Sequence, residues 1–265
     1  MAKKEWSFHV FGLAFLLVAT AIVFYPLFLT VQRSLAINGF GNYTAVLSKV
    51  KIFRNLWNSI MVTGVTLIGT TIVCSLGAFA FSKLNFRGRN TLFIFIMMGM
   101  LIPTSATIFP LFQIIKVLQL VNNPISQTLP YITGSSIFGL LLLKIYFDGL
   151  PNEMMESARI DGASSFRVFA QIMLPNAVPG LSILFVNTFM GAWNELQIAI
   201  TFVNRRDYMT MAALPIQFAA SPGRSNNPVN ELFACLIMCM IPVIIFYIAA
   251  QKMIIRGMTE GTVKG

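Results

Sequence analysis

Few side chains in this sequence could do chemistry, and those that could are amides and acids set inside or beside long apolar runs. Within residues 177–201, Asn187, Gly191, Asn194 and Glu195 recur at helical spacing, so in one helix they share a face. Amide and carboxylate groups near an aromatic such as Trp193 suit sugar hydroxyls and sugar ring faces. Trp193 itself falls at least a quarter-turn off that face and packs elsewhere. A carboxylate inside an apolar run is costly unless paired or wet, which makes Glu195 a functional position by default. By helical rise, Asn194 lies about 10 Å from the nearer end of its run. The competing role is structural: polar side chains tie membrane helices together, and Gly191 permits close helix approach.

Other chemistry is excluded. No Gly-x-x-x-x-Gly-Lys-Ser/Thr loop is present, so the chain cannot cradle ATP phosphates. There is no Ser/His/Asp set and no pair of carboxylates poised as acid and base, so no catalytic residue is assigned. His9 is the only histidine, and Cys74, Cys235 and Cys239 all sit in apolar runs. We expect neither metal nor disulfide.

The elements that position these groups follow from composition. Of 265 residues, 56% are hydrophobic and only 11% charged, with 24 Phe and 15 Met. Soluble domains carry roughly a quarter charged residues, so this chain needs an apolar solvent. The net charge of +10 is spread between apolar runs with no basic block, which argues against nucleic acid and for cations flanking membrane spans. A span needs about 20 apolar residues. Six segments qualify: 9–31, 59–82, 91–113, 129–147, 177–201 and 231–251, the fourth being short and carrying Lys144. Hydrocarbon offers no partner for free backbone groups, so all six must be helices. The first exceeds the core of a signal peptide and reads as an uncleaved anchor.

Placing both termini in the cytoplasm puts eleven cations inside. Eight fall outside: Arg33, Lys49, Lys51, Arg54, Lys116, Arg205, Arg206 and Arg224. The bias is weak, and the short inner loop 83–89, with Lys83, Arg87 and Arg89, is its cleanest vote. Two polar stretches lie on the outer side, 32–58 and 202–230. The second holds Pro215, Pro222, Gly223 and Pro228 and should be irregular but structured.

The longest inner segment, 148–176, has a pattern of its own. Pro151 suits a first helical position, and Glu153 and Glu156 lie near the positive end of that helix dipole. Gly162 can take the left-handed conformation that stops it. Ser164 can cap a second helix running to about Ile172, before Pro175 breaks it. Met154, Met155, Ala158, Phe166 and Phe169 give the loop an apolar face suited to docking in another protein's groove.

Glu156-Ser157-Ala158, three residues, Gly162, nine residues, then Ile172-Met173-Leu174-Pro175 resembles the Glu-Ala-Ala loop of permease subunits of bacterial ATP-binding-cassette (ABC) importers. Every spacing agrees, and Ser157 replaces a small residue with another. The resemblance implies an all-α integral membrane protein with six transmembrane helices, a type I ABC importer permease whose cytoplasmic coupling helices lie between spans 4 and 5. It also implies that this hairpin seats in a cleft of a separate ATPase. Gly162 would set its angle, Glu156 would anchor the first helix, and Asp161 would bond at the bend. Ile172, Leu174 and Pro175 complete the motif.

Three further stretches narrow the resemblance to carbohydrate permeases. They are 123–131 (Asn-Pro-Ile-Ser-Gln-Thr-Leu-Pro-Tyr), Gly191-Ala192-Trp193-Asn194-Glu195, and the terminus 257–265. The likeness is closest to the maltose-type second permease. It implies an oligosaccharide importer of the bacterial cytoplasmic membrane. Its other parts would be a second permease in a heterodimer, two ATPase copies holding ATP and Mg, and an extracellular sugar-binding protein, with lipid around the spans. No cofactor is expected on this chain. The organisation read from the sequence is an anchor span and outer loop over 1–55, a permease core over 56–251, and a cytoplasmic tail over 252–265. Residues 258–265 look small and flexible enough to reach the ATPase. Pro103 and Pro110 are expected to interrupt the third span and Pro242 the sixth, as possible gate elements. A permease of the same architecture for a peptide, polyamine or phosphonate is the nearest alternative. A secondary transporter, with Glu195 or Glu231 as coupling acid, is the more remote one.

Overall fold

Apolar runs bounded by Gly, Pro and Asn leave the backbone no partner but itself, and the chain folds accordingly. A computed structural model describes residues 2–219 and 228–262, and every regular element among them is helical. Pro222, Gly223 and Arg224 of the second outer stretch lie outside the described residues, as do residues 263–265. In order the helices are α1 (Ala2–Ser34), α2 (Gly41–Lys49), α3 (Ile52–Lys83), α4 (Arg89–Met98), α5 (Thr104–Val117), α6 (Thr128–Asp148) and α7 (Asn152–Ile160). There follow α8 (Ser165–Val168), α9 (Leu174–Asn176), α10 (Val178–Asn194), α11 (Gln197–Phe202), α12 (Leu214–Ala219) and α13 (Pro228–Thr262).

Four helical stretches are long and apolar enough to cross a membrane unbroken: Phe11–Ser34, Ile52–Lys83, Pro124–Asp148 and Val229–Lys252. The other two expected spans involve bends. Arg89–Leu101 and Thr104–Val117 meet at 101°, and Val178–Asn194, which falls in the fifth expected span, leaves Ser165–Asn176 at 77°. Counting each as one span gives six, with the third corrected from a continuous 91–113 to a broken one. Pro103 is the cause: the residue before it is driven to extended backbone, and Ile102 has ψ 113°. Pro110 and Pro242, expected to interrupt their spans, instead lie inside α5 and α13. The tail expected to be loose beyond 258 is helical as far as Thr262, because α13 runs on.

The chain divides into two units. In the unit of residues 1–51 and 214–244, side-chain bonds knot the α1–α2 turn. Asn42 Nδ2 donates to Ser34 O and Ala36 O, both at 3.0 Å, and Ser34 Oγ lies 2.7 Å from Tyr43 Oη. Asn230 Nδ2 reaches Ala36 O at 3.2 Å. Lys49 Nζ pairs with the buried Glu231 carboxylate at 2.6 Å. The unit of residues 52–213 and 245–265 holds the main core between α3, α6 and α10. Close approach there depends on glycine. A Cβ on Gly139 would stand 2.5 Å from Leu184 Cδ1 and 2.6 Å from Cys74 Sγ. A second buried cluster of this unit gathers Val62, Tyr131, Ala192, Ile198 and Phe202.

Candidate functional site: a helical hairpin and an exposed polar face

The segment 148–176 is a hairpin whose corner is fixed by backbone chemistry. Helix α7 ends in a Schellman motif: Gly162 N donates to Arg159 O at 3.0 Å and Ala163 N to Ala158 O at 2.9 Å. That closure needs a left-handed residue, and Gly162 has φ +80°. The expected stop is thus where the spacing put it. Ser164 caps the next turn, its Oγ accepting from Arg167 N at 3.3 Å. Asp161 contributes its backbone N–H, to Ser157 O at 3.1 Å, rather than its carboxylate. The Glu156 and Asp161 side chains are exposed.

Three details depart from expectation. Pro151 caps α7 from outside, at ψ 136°, and the helix begins at Asn152. Pro175 does not end the second helix at Ile172. The backbone widens to a π-helix over Phe169–Met173, which accommodates a residue without an N–H, and continues to Asn176 before the corner at Ala177. The apolar residues divide differently too. Met155, Ala158 and Phe169 face inward and pack with Phe79, Phe147 and Met173. What the hairpin leaves outside is Ile160, 86% exposed, and Phe166, 70% exposed. Ile160 was not singled out from the sequence, and its place on the face opposite Met155 and Ala158 is the signal that finds it. Ile172 and Leu174 lean on the same core as Met173, so these motif residues set the hairpin's seat.

A polar clasp fastens the hairpin's root. Lys83 Nζ donates to Leu150 O at 2.7 Å and to Asn152 Oδ1 at 2.8 Å. Asp148 takes Ser82 Oγ at 2.6 Å on one oxygen and Lys144 Nζ at 2.6 Å on the other. Lys144 is accordingly a satisfied helix-end cation. The partners that cross to α3 were not legible as pairs, since 66 residues separate Ser82 from Asp148, whereas Lys144–Asp148 is a local pair four residues apart on α6.

On α10 the polar face is real but shorter than expected. Asn187, Gly191 and Asn194 are exposed together, and among the described residues nothing lies within 4 Å of a Cβ built on Gly191, so this glycine serves no close approach to them. Asn194 Nδ2 donates to its own helix, at Met190 O, 2.9 Å. Trp193 packs on the other side, stacked on Phe189 at 5.3 Å.

Glu195 leaves that face. Helix α10 closes at Asn194, Glu195 turns extended with ψ 121°, and α11 starts at Gln197. The fifth span thus ends well short of 201, and Asn194 is its last helical residue rather than one set about 10 Å inside the run. The carboxylate caps the restarted helix: Oε1 accepts from Gln197 N at 3.0 Å, and Oε2 from Ile198 N at 2.9 Å and Ala199 N at 3.4 Å. Tyr131 Oη donates to Oε2 at 3.1 Å, joining α6 to the break. Gln127 also lies 3.1 Å from that hydroxyl, which has a single proton. Turning the Gln127 amide so that its nitrogen faces Tyr131 gives this contact a proton and a buried partner to Nε2.

Residues 74–260 match the family described as the binding-protein-dependent transport system inner membrane component. The chain belongs to this family. Among its relatives is a putative ABC transporter permease of Caldicellulosiruptor sp. (strain Rt8B.4), 30% identical over 85% of this chain and 80% of its own length. The arabinooligosaccharide transport permease of Halalkalibacterium halodurans is 31% identical over 80% of this chain and 73% of its own. The trehalose/maltose transport permease of Thermococcus litoralis is 31% identical over 84% and 81%. In fold it is similar to a chain of a bacterial ABC transporter involved in the import of alginate, with TM-score 0.82 and 20% identity over 94% of this chain and 97% of that one. The hairpin, its clasp and the capped break all lie within the matched residues.

Proposed function

We propose that this ABC permease carries a sugar or oligosaccharide across the bacterial inner membrane, paired with a second permease and driven by a separate ATPase. The observation that carries the reading is the hairpin: a helix–corner–helix seated on its own core by Met155, Ala158, Met173 and Leu174, yet presenting Ile160 and Phe166 outward. Two large apolar side chains on a rigid hairpin suit insertion into a groove of another protein. ATP would bind that partner, two copies of it, since this chain has no phosphate loop. Both termini then lie in the cytoplasm with the hairpin, and residues 202–211 lie outside.

Sugar as the solute is supported by the arabinooligosaccharide and trehalose/maltose relatives and by the amide face Asn187–Asn194 on α10. That face, with Gly191 open, is the side left for solute or the second permease. Glu195 is spent on the break and on Tyr131, so its part is to shape the span end.

The test is reconstitution with the second permease, the ATPase and the sugar-loaded binding protein. Uptake of labelled sugar should require ATP and resist protonophores. Cysteine at Ile160 or Phe166 should crosslink to the ATPase subunit. Crosslinking of either position only from the cell exterior, or uptake by the purified chain alone, would overturn the reading.

A further inference from the structure

Residues 202–211 are clamped through their backbone. Asn55 Nδ2 donates to Arg206 O at 2.9 Å and to Met209 O at 2.8 Å. Asn58 Nδ2 donates to Asp207 O at 3.0 Å and Met209 O at 3.2 Å, and Ser59 Oγ accepts from Met211 N at 2.7 Å. From the neighbouring turn, Asn122 Oδ1 accepts from Asn204 N at 2.8 Å and Arg205 N at 3.1 Å. Its own N–H donates to Phe202 O at 2.9 Å. Asn55, Asn58 and Ser59 follow the buried face of α3, so the clamp is set by the same helix that builds the core.

Because backbone groups satisfy the clamp, the side chains of Asn204, Arg205 and Arg206 are left to project, while Phe202, Val203 and Met211 are buried. They project positive charge. Arg205 and Arg206 are exposed, as is Arg54 at the start of α3. The Tyr208 ring lies under both the Arg54 guanidinium, 5.1 Å from its centroid, and that of Arg205, at 4.9 Å. Such stacking holds a cation in place without neutralising it. Asp207, 3.7 Å from Arg54, is the only acid between 202 and 213. Cations on an outer segment also run against the bias that keeps Lys and Arg inside, so this cluster is not explained by topology.

We infer that the Arg54–Tyr208–Arg205–Arg206 ledge is a docking surface for the extracellular binding protein, pairing with carboxylates on that protein's contact face. The inference rests on the function proposed above, which places the ledge outside. Guanidinium forks match carboxylates in two-point geometry. A preformed ledge spares the cost of ordering long side chains at the encounter. Dependence on a binding protein is in the family's own description. The structurally similar alginate transporter is also solved in complex with a loaded periplasmic protein.

The experiment titrates sugar-loaded binding protein into the complete transporter in nanodiscs and reads stimulated ATPase activity. It is run at low and high salt, in neutral phosphatidylcholine and in discs containing an anionic lipid. Arg205→Gln with Arg206→Gln is expected to raise the half-saturating concentration about tenfold at low salt in both lipids, with the gap closing at high salt. Arg205→Lys with Arg206→Lys should recover most of the loss, which separates charge from misfolding. The inference fails if the Gln pair stays within about twofold of wild type at low salt. It fails equally if the shift appears only with anionic lipid, since the arginines then serve headgroups. A wild-type complex that ignores the binding protein altogether would remove the functional reading, and this inference with it.

Discussion

Replacing Gly162 tests whether the hairpin's corner works through backbone conformation. The residue has φ +80° and donates to Arg159 O, while nothing lies within 4 Å of where a Cβ would stand. A side chain there meets no neighbour, so the whole penalty is conformational. An ordinary L-residue in the left-handed region costs about 1–2 kcal/mol, and a β-branched one more. Asn, which tolerates that region, costs less. With about 1.4 kcal/mol per factor of ten, Gly162→Ala should leave the closed corner roughly 5- to 30-fold less favoured. The expected order for ATP-driven uptake in proteoliposomes is therefore Gly, then Asn, then Ala, then Val, with expression unchanged. Side-chain volume predicts another order, because Asn is larger than Ala. If Ala transports better than Asn, space and not φ governs the site, and the reasoning is refuted. Gly162→Asp should resemble Asn in conformation, so complete loss in Asp beside activity in Asn would point to charge repulsion at the docked partner.

The other expectations concern what holds the hairpin and the break. Lys83→Met strips a charged donor from Leu150 O and Asn152 Oδ1 and should loosen the root by about 1–3 kcal/mol, read as faster amide exchange across 150–160. Exchange there equal to wild type would show the clasp to be idle. Gly139→Ala, which helix propensity favours by about 1 kcal/mol, should instead lower the melting temperature in detergent. The cause is a Cβ pressed on Leu184 and Cys74, and Leu184→Ala should restore part of the loss. Glu195→Leu should cost about 2–4 kcal/mol by orphaning the Gln197 and Ile198 amides and the Tyr131 hydroxyl, while Glu195→Gln keeps about half. A sugar KM altered several-fold by Glu195→Gln at unchanged melting temperature would mean that the carboxylate holds solute.

What could be read from residues alone follows physical range. Spans were legible because apolar length is a local property, and so was the corner at Gly162, whose partners lie within five residues. Pairings across the chain were not. Nothing local joins Lys83 to Leu150 or Asn55 to Arg206, because those meetings depend on α3 lying alongside α6 and on the return of the chain after α11. Proline was ambiguous for a related reason. Pro103, Pro110 and Pro242 carry the same local penalty, and surrounding packing decides which of them breaks a helix. At Glu195 periodicity misled: the spacing continued a face that the backbone had already abandoned, since a carboxylate can also end one helix and start the next.

The hairpin and the polar face belong to one mechanical line. Beyond the Ala177 corner, α10 is held against α6 where Gly180 meets Tyr146 and where Leu184 meets Gly139, and at its far end Ala192 packs with Val62 and Tyr131. These contacts are spread along its 17 residues, about 25 Å of helix, so on the function proposed above a displaced hairpin would carry Asn187, Gly191 and Asn194 as a body. The helix itself ends at Glu195. There the helical ladder is interrupted, and continuity passes through one carboxylate to three amides and the Tyr131 hydroxyl. Ala192 of α10 packs in the same cluster as Ile198 and Phe202 of α11, so side-chain contacts and the Glu195 cap, rather than a helical ladder, join the two sides of the break. On the function proposed above, Glu195 is the joint at which a movement of the hairpin, carried by α10, would meet the layer around Phe202.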